Sequence, residues 1–394
     1  MRNSTRPLPL FLVLGACAST VPAVAQPNLT GIVYVDRNGN GSREAGEPGL
    51  AGVPVSDQDQ VVSTSADGSF RIDHAAGSGV LFVSVPTGFR SVGPFWRVAD
   101  SAAAMKGFAF PLVPALPAEE FIFIHASDTH ISPASLARTQ RLRAMVDSVK
   151  PAFVLITGDL VRDALRVSEA EATGYYKLFT GEKEKFSVPV WTVPGNHENF
   201  GIERHLSLIS PDHPLYGRRM YHHYLGPDYY SFTYGGVHFI GLNTIDVDDL
   251  WYYGHVDSTQ VAWLRRDLEK VPATVPVVTF NHIPFFTAVE TINGYMDTPP
   301  APTAITVRGK TSFRHSVSNA GEIIAMMKGH PFDLALGGHM HVREMLRYEG
   351  TPIRFFQSAA VVGESLGSGI NFKSGIVVYR VKNGRIDDGT FLPL

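Results

Sequence analysis

The sequence predicts two folded units behind a removable leader: a small all-β sandwich, then an α/β layered domain. Three observations carry that reading. Short alternating runs with turn residues between them fill Leu29 to Pro111, near-continuous apolar runs alternating with amphipathic segments begin at Phe121, and a proline-containing connector, Val113 to Glu120 (VPALPAEE), parts the two patterns. The boundaries fall at residues 1–26 for the leader, 27–116 for the sandwich and 117–394 for the α/β domain.

The leader has a short basic region, Arg2 and Arg6, an apolar core from Leu8 to Leu14, and a small-residue cleavage site at Ala23-Val24-Ala25. Export to the periplasm or beyond is the expectation, with cleavage after Ala25. Leu14 to Cys17 also resembles the lipobox of bacterial lipoproteins, which would instead put a lipid anchor on Cys17. No later apolar run is long enough to span a bilayer, so no transmembrane segment is expected. Cys17 is the single cysteine, so the mature body has neither disulfide nor thiolate ligand.

In the sandwich, GIVYV, PVSDQDQVVST, SFRI and VLFVSV read as strands, with Ala66-Asp67-Gly68 as a hairpin turn. Asp36 to Glu47 (DRNGNGSREAGE) sets Asp36, Asn38 and Asn40 at alternate positions, glycine at the sixth and Glu47 at the twelfth. That is the oxygen-ligand spacing of a calcium loop. A polar Asn-Gly turn without an ion fits the same residues.

In the second unit, FIFIHA leads to an amphipathic segment from Ala134 to Lys150, and FVLIT to another from Glu169 to Phe179. VPVWTV, HFIGLNT, VPVVTF and DLALG are further apolar runs. Strands that are apolar throughout require cover on both faces, hence helices. The net charge of −3 gives nucleic acid no purchase.

Five polar motifs each follow an apolar run: Asp128-Thr129-His130, Gly158-Asp159, Gly195-Asn196-His197-Glu198, Asn281-His282 and Gly338-His339-Met340-His341. Ligand groups of open α/β sheets gather at the carboxyl ends of strands, so all five can converge on one crevice. Imidazole, carboxylate and amide oxygen without thiolate suit Mn, Fe or Zn, and eight such groups exceed the needs of one catalytic ion. Glycines before Asp159, Asn196 and His339 would let the chain turn sharply there.

The order D-x-H, GD, GNH[DE], H, GHxH resembles the calcineurin-like metallophosphoesterases, from about Phe121 to the C-terminus. The resemblance implies two facing β-sheets flanked by helices. It implies Asp128, His130 and His341 on a first metal, Asn196, His282 and His339 on a second, and Asp159 bridging them. His197 matches the family's non-ligand histidine beside the leaving group, and Glu198 would orient it. The implied activity is hydrolysis of small-molecule phosphomonoesters or phosphodiesters, nucleotide-like or sugar-phosphate, by attack of metal-bound hydroxide. An envelope-associated binding module with a purely structural metal site is the alternative. Gly158 to Ala164 departs from the GDxVDRG of the serine/threonine phosphatases, and Arg162 stands where purple acid phosphatases place tyrosine. Arg162 can meet phosphate or merely Asp163.

Other stretches read more plainly. Gly363 to Gly367 (GESLG) fits a nucleophile-elbow pattern, but no helix pattern and no histidine follow, which leaves a rim loop. Tyr221-His222-His223-Tyr224 reads as a surface loop, and Trp251-Tyr252-Tyr253 as either loop packing or a stacking surface for substrate.

Overall fold

Phe153–Thr157, Val237–Leu242 and Val277–Asn281 are buried at every residue, which only a sheet interior covered on both faces allows. A computed structural model of the chain describes residues 28–73, 79–116, 118–290, 302–367 and 370–394. The leader, with its cleavage site and Cys17, lies outside them.

Two mixed sheets form the second unit. The first runs Val190–Val193, Phe153–Thr157, Glu120–Ala126, Gly375–Lys382 and Arg385–Ile386, with Thr390–Pro393 also paired to Gly375–Lys382. Its first three strands are parallel. The second runs Tyr230–Tyr234, Val237–Leu242, Val277–Asn281, Phe332–Gly337, Arg354–Gln357 and Glu344–Arg347, and its four central strands are parallel.

Aromatic side chains glue the sheets face to face. Trp191 stacks on Phe232 at 4.0 Å between centroids, and Phe153 meets Phe232 and Phe239 edge-on at 5.4 and 5.2 Å. Burying each such ring contributes on the order of 2 kcal/mol. Helices Leu136–Val149 and Glu169–Lys183 cover the outer face of the first sheet through Leu142, Val146, Tyr176 and Phe179. Ser258–Leu268 and Ala320–Met326 bring Trp263 and Ile323 into the core shared with the second sheet. The expected α/β layering with two facing sheets is what forms.

The first unit is a sandwich of two four-stranded sheets. It is not all-β: Ser101–Lys106 is a helix whose first turn is capped by Asp100, which accepts from the Ala103 amide at 2.7 Å. Nor does Ala66-Asp67-Gly68 close a hairpin. The turn forms, but Val61–Ser63 and Ser69–Ile72 belong to different sheets, so it carries the chain across the sandwich.

The sandwich locks onto the second unit. Buried Gln58 donates to Asp228 Oδ1 and to the Tyr229 carbonyl, both at 2.9 Å, while its own carbonyl accepts from the Tyr229 hydroxyl at 2.6 Å. Tyr221 to Tyr224 lie in a helix, Arg219–Leu225, rather than a surface loop. Tyr221 is buried with its hydroxyl on the Thr192 carbonyl, and His222 bonds Asp228 at 2.8 Å. Tyr221, His222 and Tyr224 each find a partner within the protein, while His223 is exposed.

Candidate metal centre

The parallel strands of both sheets end on the same side, and there the five motifs meet. Asp128 and His130 follow Glu120–Ala126, Asp159 follows Phe153–Thr157, Asn196 and His197 follow Val190–Val193, His282 follows Val277–Asn281, and His339 and His341 follow Phe332–Gly337. Asp128, His130, Asp159, His339 and His341 all have left-handed backbone, with φ of 54°, 38°, 47°, 72° and 58°. Strain of that kind costs on the order of 1 kcal/mol or more per residue and persists where surrounding structure over-determines it. The expected glycine turns are only partly right. Gly158 does have positive φ (+81°), but Gly195 and Gly338 are required by proximity: an added Cβ would stand 2.2 Å from Asp159 Oδ1 and 1.9 Å from Ser127 Oγ respectively.

Two ligand sets result. Asp128, His130, Asp159 and His341 form one, with ligand atoms mutually within 4.8 Å; Asp159, His282 and His339 form the other by the same measure. Asn196 joins the second through Oδ1, 3.2 Å from His282 Nε2. Asp159 Oδ2 is 3.5 Å from His130 Nε2 and 3.3 Å from His282 Nε2, so a single carboxylate oxygen faces both sets.

These residues fit divalent ions on the chain's own geometry. His130 Nε2 and His341 Nε2 stand 3.2 Å apart, and His282 Nε2 and His339 Nδ1 3.1 Å. Ligands about 2.1 Å from a common ion and near right angles stand roughly 3 Å from each other. Asp128 Oδ1 is buried without a hydrogen-bond donor and faces His341 Nε2 at 3.2 Å, while Oδ2 accepts from the His339 amide. Burial opposes charge on Asp159, yet His282, His197 and His130 hold its carboxyl well below the usual range. Burial lowers His130, to about 4; burial also opposes charge on His282, but the Asp159 carboxylate raises it, to about 9.

His197 and Glu198 divide differently from expectation. His197 Nδ1 donates to the Arg162 carbonyl at 2.6 Å, which leaves Nε2 facing the centre, 3.9 Å from Asp159 Oδ2. Glu198 does not orient it. Its carboxylate accepts from the amides of Leu160, Val161 and Gly195 at 2.8, 2.9 and 2.6 Å, tying the loop after Asp159 to the loop before Asn196. Glu198 is wholly buried; burial and the Asp159 carboxylate push it up to about 8, while the amide donors favour its charged form. The side chain following His197 on this 3-10 turn points into the protein, so adjacency in sequence does not become contact.

The sequence also left one histidine unnoticed. His315 Nδ1 lies 2.7 Å from His339 Nε2, with the two rings edge to edge and their centroids 5.0 Å apart. No apolar strand precedes it, and no motif frames it. Its neighbour Arg314 is buried, with its guanidinium over the Tyr252 ring at 4.2 Å.

The centre opens into a cleft of about 740 Å³ whose walls include Ser135, Arg138, Arg162, Tyr252 and Val362. Of the Trp251 to Tyr253 run, Tyr252 reaches this wall, whereas Tyr253 turns its hydroxyl to Asp246. Asp163 pairs with Arg166 at 3.1 Å and not with Arg162, whose side chain stays exposed at the cleft. Ser365 begins a short strand paired with Ile370–Phe372, and among the described residues no helix follows it; the side chains of 365–367 lie outside those described.

The calcium-like loop closes on itself. Asp36 accepts from the amides of Gly39 and Gly41, both at 2.7 Å, and Glu47 from those of Arg37 and Glu44 at 2.9 and 3.0 Å. Asn38 and Asn40 are exposed and held by Glu44.

Two carboxylate and imidazole ligand sets sharing one aspartate oxygen, at the carboxyl ends of facing sheets, define the class: a dinuclear metallohydrolase. The chain matches the family described as Calcineurin-like phosphoesterase over residues 121–343, more than half its length, and belongs to it. It is accordingly a metal-dependent phosphoric ester hydrolase. It is 24% identical over 193 residues to a probable glycerophosphodiester phosphodiesterase, GpdQ, of Arcobacter nitrofigilis, covering 43% of this chain and 59% of that one. It is 24% identical over 238 residues to a 3',5'-cyclic-nucleotide phosphodiesterase of Nostoc, covering 59% of this chain and 71% of that one. Among solved structures, a dimetal phosphatase from Danio rerio is similar at a TM-score of 0.45 and 13% identity, covering 69% of this chain and 98% of that one.

Bound divalent ions supply Lewis acidity toward phosphoryl oxygens and lower the pKa of water. Asp128, His130 and His341 would hold one ion, Asn196, His282 and His339 the other, with Asp159 common to both. His197, its Nδ1–H committed to Arg162, has Nε2 free to hold or deliver a proton at the leaving oxygen. Arg162 and Tyr252 line the cleft beside the centre.

Proposed function

We propose that the chain is an exported hydrolase of small phosphodiesters, with phosphomonoesters as poorer substrates, acting on nucleotide-like or sugar-phosphate compounds. The observation that carries this reading is the cleft of about 740 Å³ around the centre, a size that takes a small molecule. Its exposed Arg162 and its Tyr252 wall suit an ester whose organic parts extend to both sides of the phosphorus. The two relatives described as phosphodiesterases lend support at 24% identity. Export rests on the leader read from the sequence, and no helix among the described residues is long and apolar enough to cross a membrane.

The test is hydrolysis of bis-p-nitrophenyl phosphate against p-nitrophenyl phosphate by the mature chain, after chelation and Mn readdition, with metal counted on the same sample. A higher kcat/KM on the diester, with about two ions per chain, is expected. Preference for the monoester would overturn the diester reading. N-terminal sequencing of protein recovered from the periplasm tests export, with a start at Gln26 expected; Cys17 at the N-terminus would mean acylation instead.

A further inference from the structure

His339 has two ring nitrogens and two different neighbours. Nδ1 faces the ligand set, 3.1 Å from His282 Nε2, and Nε2 faces away, 2.7 Å from His315 Nδ1. A ring whose Nδ1 lone pair points to a cation must carry its proton on Nε2, and that N–H needs an acceptor. Among the described residues, His315 Nδ1 stands at hydrogen-bond distance from it. We propose that His315 is a positioning residue: it accepts the Nε2–H of His339, selects the tautomer in which Nδ1 is the ligand, and so sets the affinity of the second metal site.

The surroundings of His315 are built to hold it there. The Val317 amide donates to the Pro284 carbonyl at 3.0 Å, and the Ser318 amide to the Gly254 carbonyl at 2.7 Å. The segment is thus clamped between the loop after His282 and the hairpin that carries Tyr252. Next to it, Arg314 Nε donates to the Tyr252 carbonyl at 3.2 Å. The His315 ring lies edge to edge with that of His339, centroids 5.0 Å apart, so its Nδ1 stands in line with the His339 Nε2–H. His282 is held in the same manner by a different acceptor: its Nδ1 donates to the Thr157 carbonyl at 2.7 Å, leaving Nε2 toward the centre. Two ligands of one set would then use opposite ring nitrogens, each fixed by what lies behind it. His315 is therefore not replaceable by any residue lacking an acceptor at that point.

This inference rests on the dinuclear reading, and the experiment separates the two. Mn(II) binding to wild type, His315→Ala and His315→Asn is followed by calorimetry, with thermal melts of the metal-free proteins. Asparagine places an amide oxygen where Nδ1 stood, so it can accept the same N–H. Wild type should take two ions; His315→Ala should bind one of them roughly 10–100-fold more weakly and leave the other unchanged, and His315→Asn should restore most of the loss. Wild-type affinity at both sites in His315→Ala, equal weakening of both, or an Asn variant no better than Ala would each overturn the role. A wild type that binds a single ion would instead overturn the dinuclear reading. Should His315→Ala melt well below wild type, the Asn variant still decides.

Discussion

His197 points its Nδ1–H at the carbonyl of Arg162, 2.6 Å away, and takes no contact from the carboxylate beside it in sequence. The ring is thus oriented by backbone, which no single side-chain substitution removes. His197→Ala should keep both metals and the fold but lower kcat by about 10²–10⁴, most severely on esters with poor leaving groups. Steady-state kinetics on a series of phenyl esters of rising leaving-group pKa checks this; a uniform loss across the series would remove the acid role.

Glu198 should behave as a structural residue. Its oxygens accept from the amides of Leu160, Val161 and Gly195. Glu198→Ala leaves those buried donors unpaired and should cost about 3–5 kcal/mol of stability, with metal affinity falling as the Asp159 loop loosens. Urea unfolding and metal titration of the variant test it. A variant with wild-type stability that lost only turnover would restore the orienting role.

Asp159 faces both ligand sets through one oxygen, so Asp159→Ala should release both ions together and abolish turnover. Metal analysis after gel filtration reads the outcome. Retention of one ion at full occupancy would show that the sets are independent.

The joint between sandwich and catalytic unit should be acid-sensitive. Burial alone would raise the Asp228 carboxyl, but His222, Arg218 and the Asn243 amide hold it far below the usual range. A depressed folded pKa contributes stability that is present above the unfolded value, near 3.9, and lost as pH falls through the folded one. Asp228→Asn should therefore destabilise the protein by about 2–4 kcal/mol at pH 7, with the gap to wild type narrowing below about pH 4. Urea midpoints measured from pH 7 to pH 3 give the comparison, and a gap independent of pH would refute the assignment.

The loop from Asp36 to Glu47 satisfies its buried carboxylates with its own amides, so calorimetry with calcium should record no binding. Glu47→Ala should still lower Tm by a few degrees, as expected for losing about 1–2 kcal/mol of hydrogen bonding. Calcium uptake abolished by the same substitution would establish an ion site instead.

Much of the centre was legible because its ligands follow buried strands. An apolar run ending in a polar motif announces both a strand and the end at which its side chains emerge, and Asp128, Asp159, Asn196, His282 and His339 all have that signature. Glu198 was misread because its carboxylate turns inward to the amides of Leu160, Val161 and Gly195, partners that adjacency to His197 does not reveal. The run Tyr221 to Tyr224 was misread because its helix is short and the partner of Tyr221, Thr192, lies 29 positions away.

By itself the sequence determined the α/β layering, the metal-ligating residue types and the family, because strand periodicity and ligand chemistry are local properties of the chain. Tertiary structure decided what acts on what. Arg162 orients His197 through a carbonyl, Asp163 turns to Arg166, and His315 reaches His339 across 24 positions. Those relationships depend on loops from different strands meeting at one sheet end, where backbone carbonyls and turned side chains become partners that no spacing rule records.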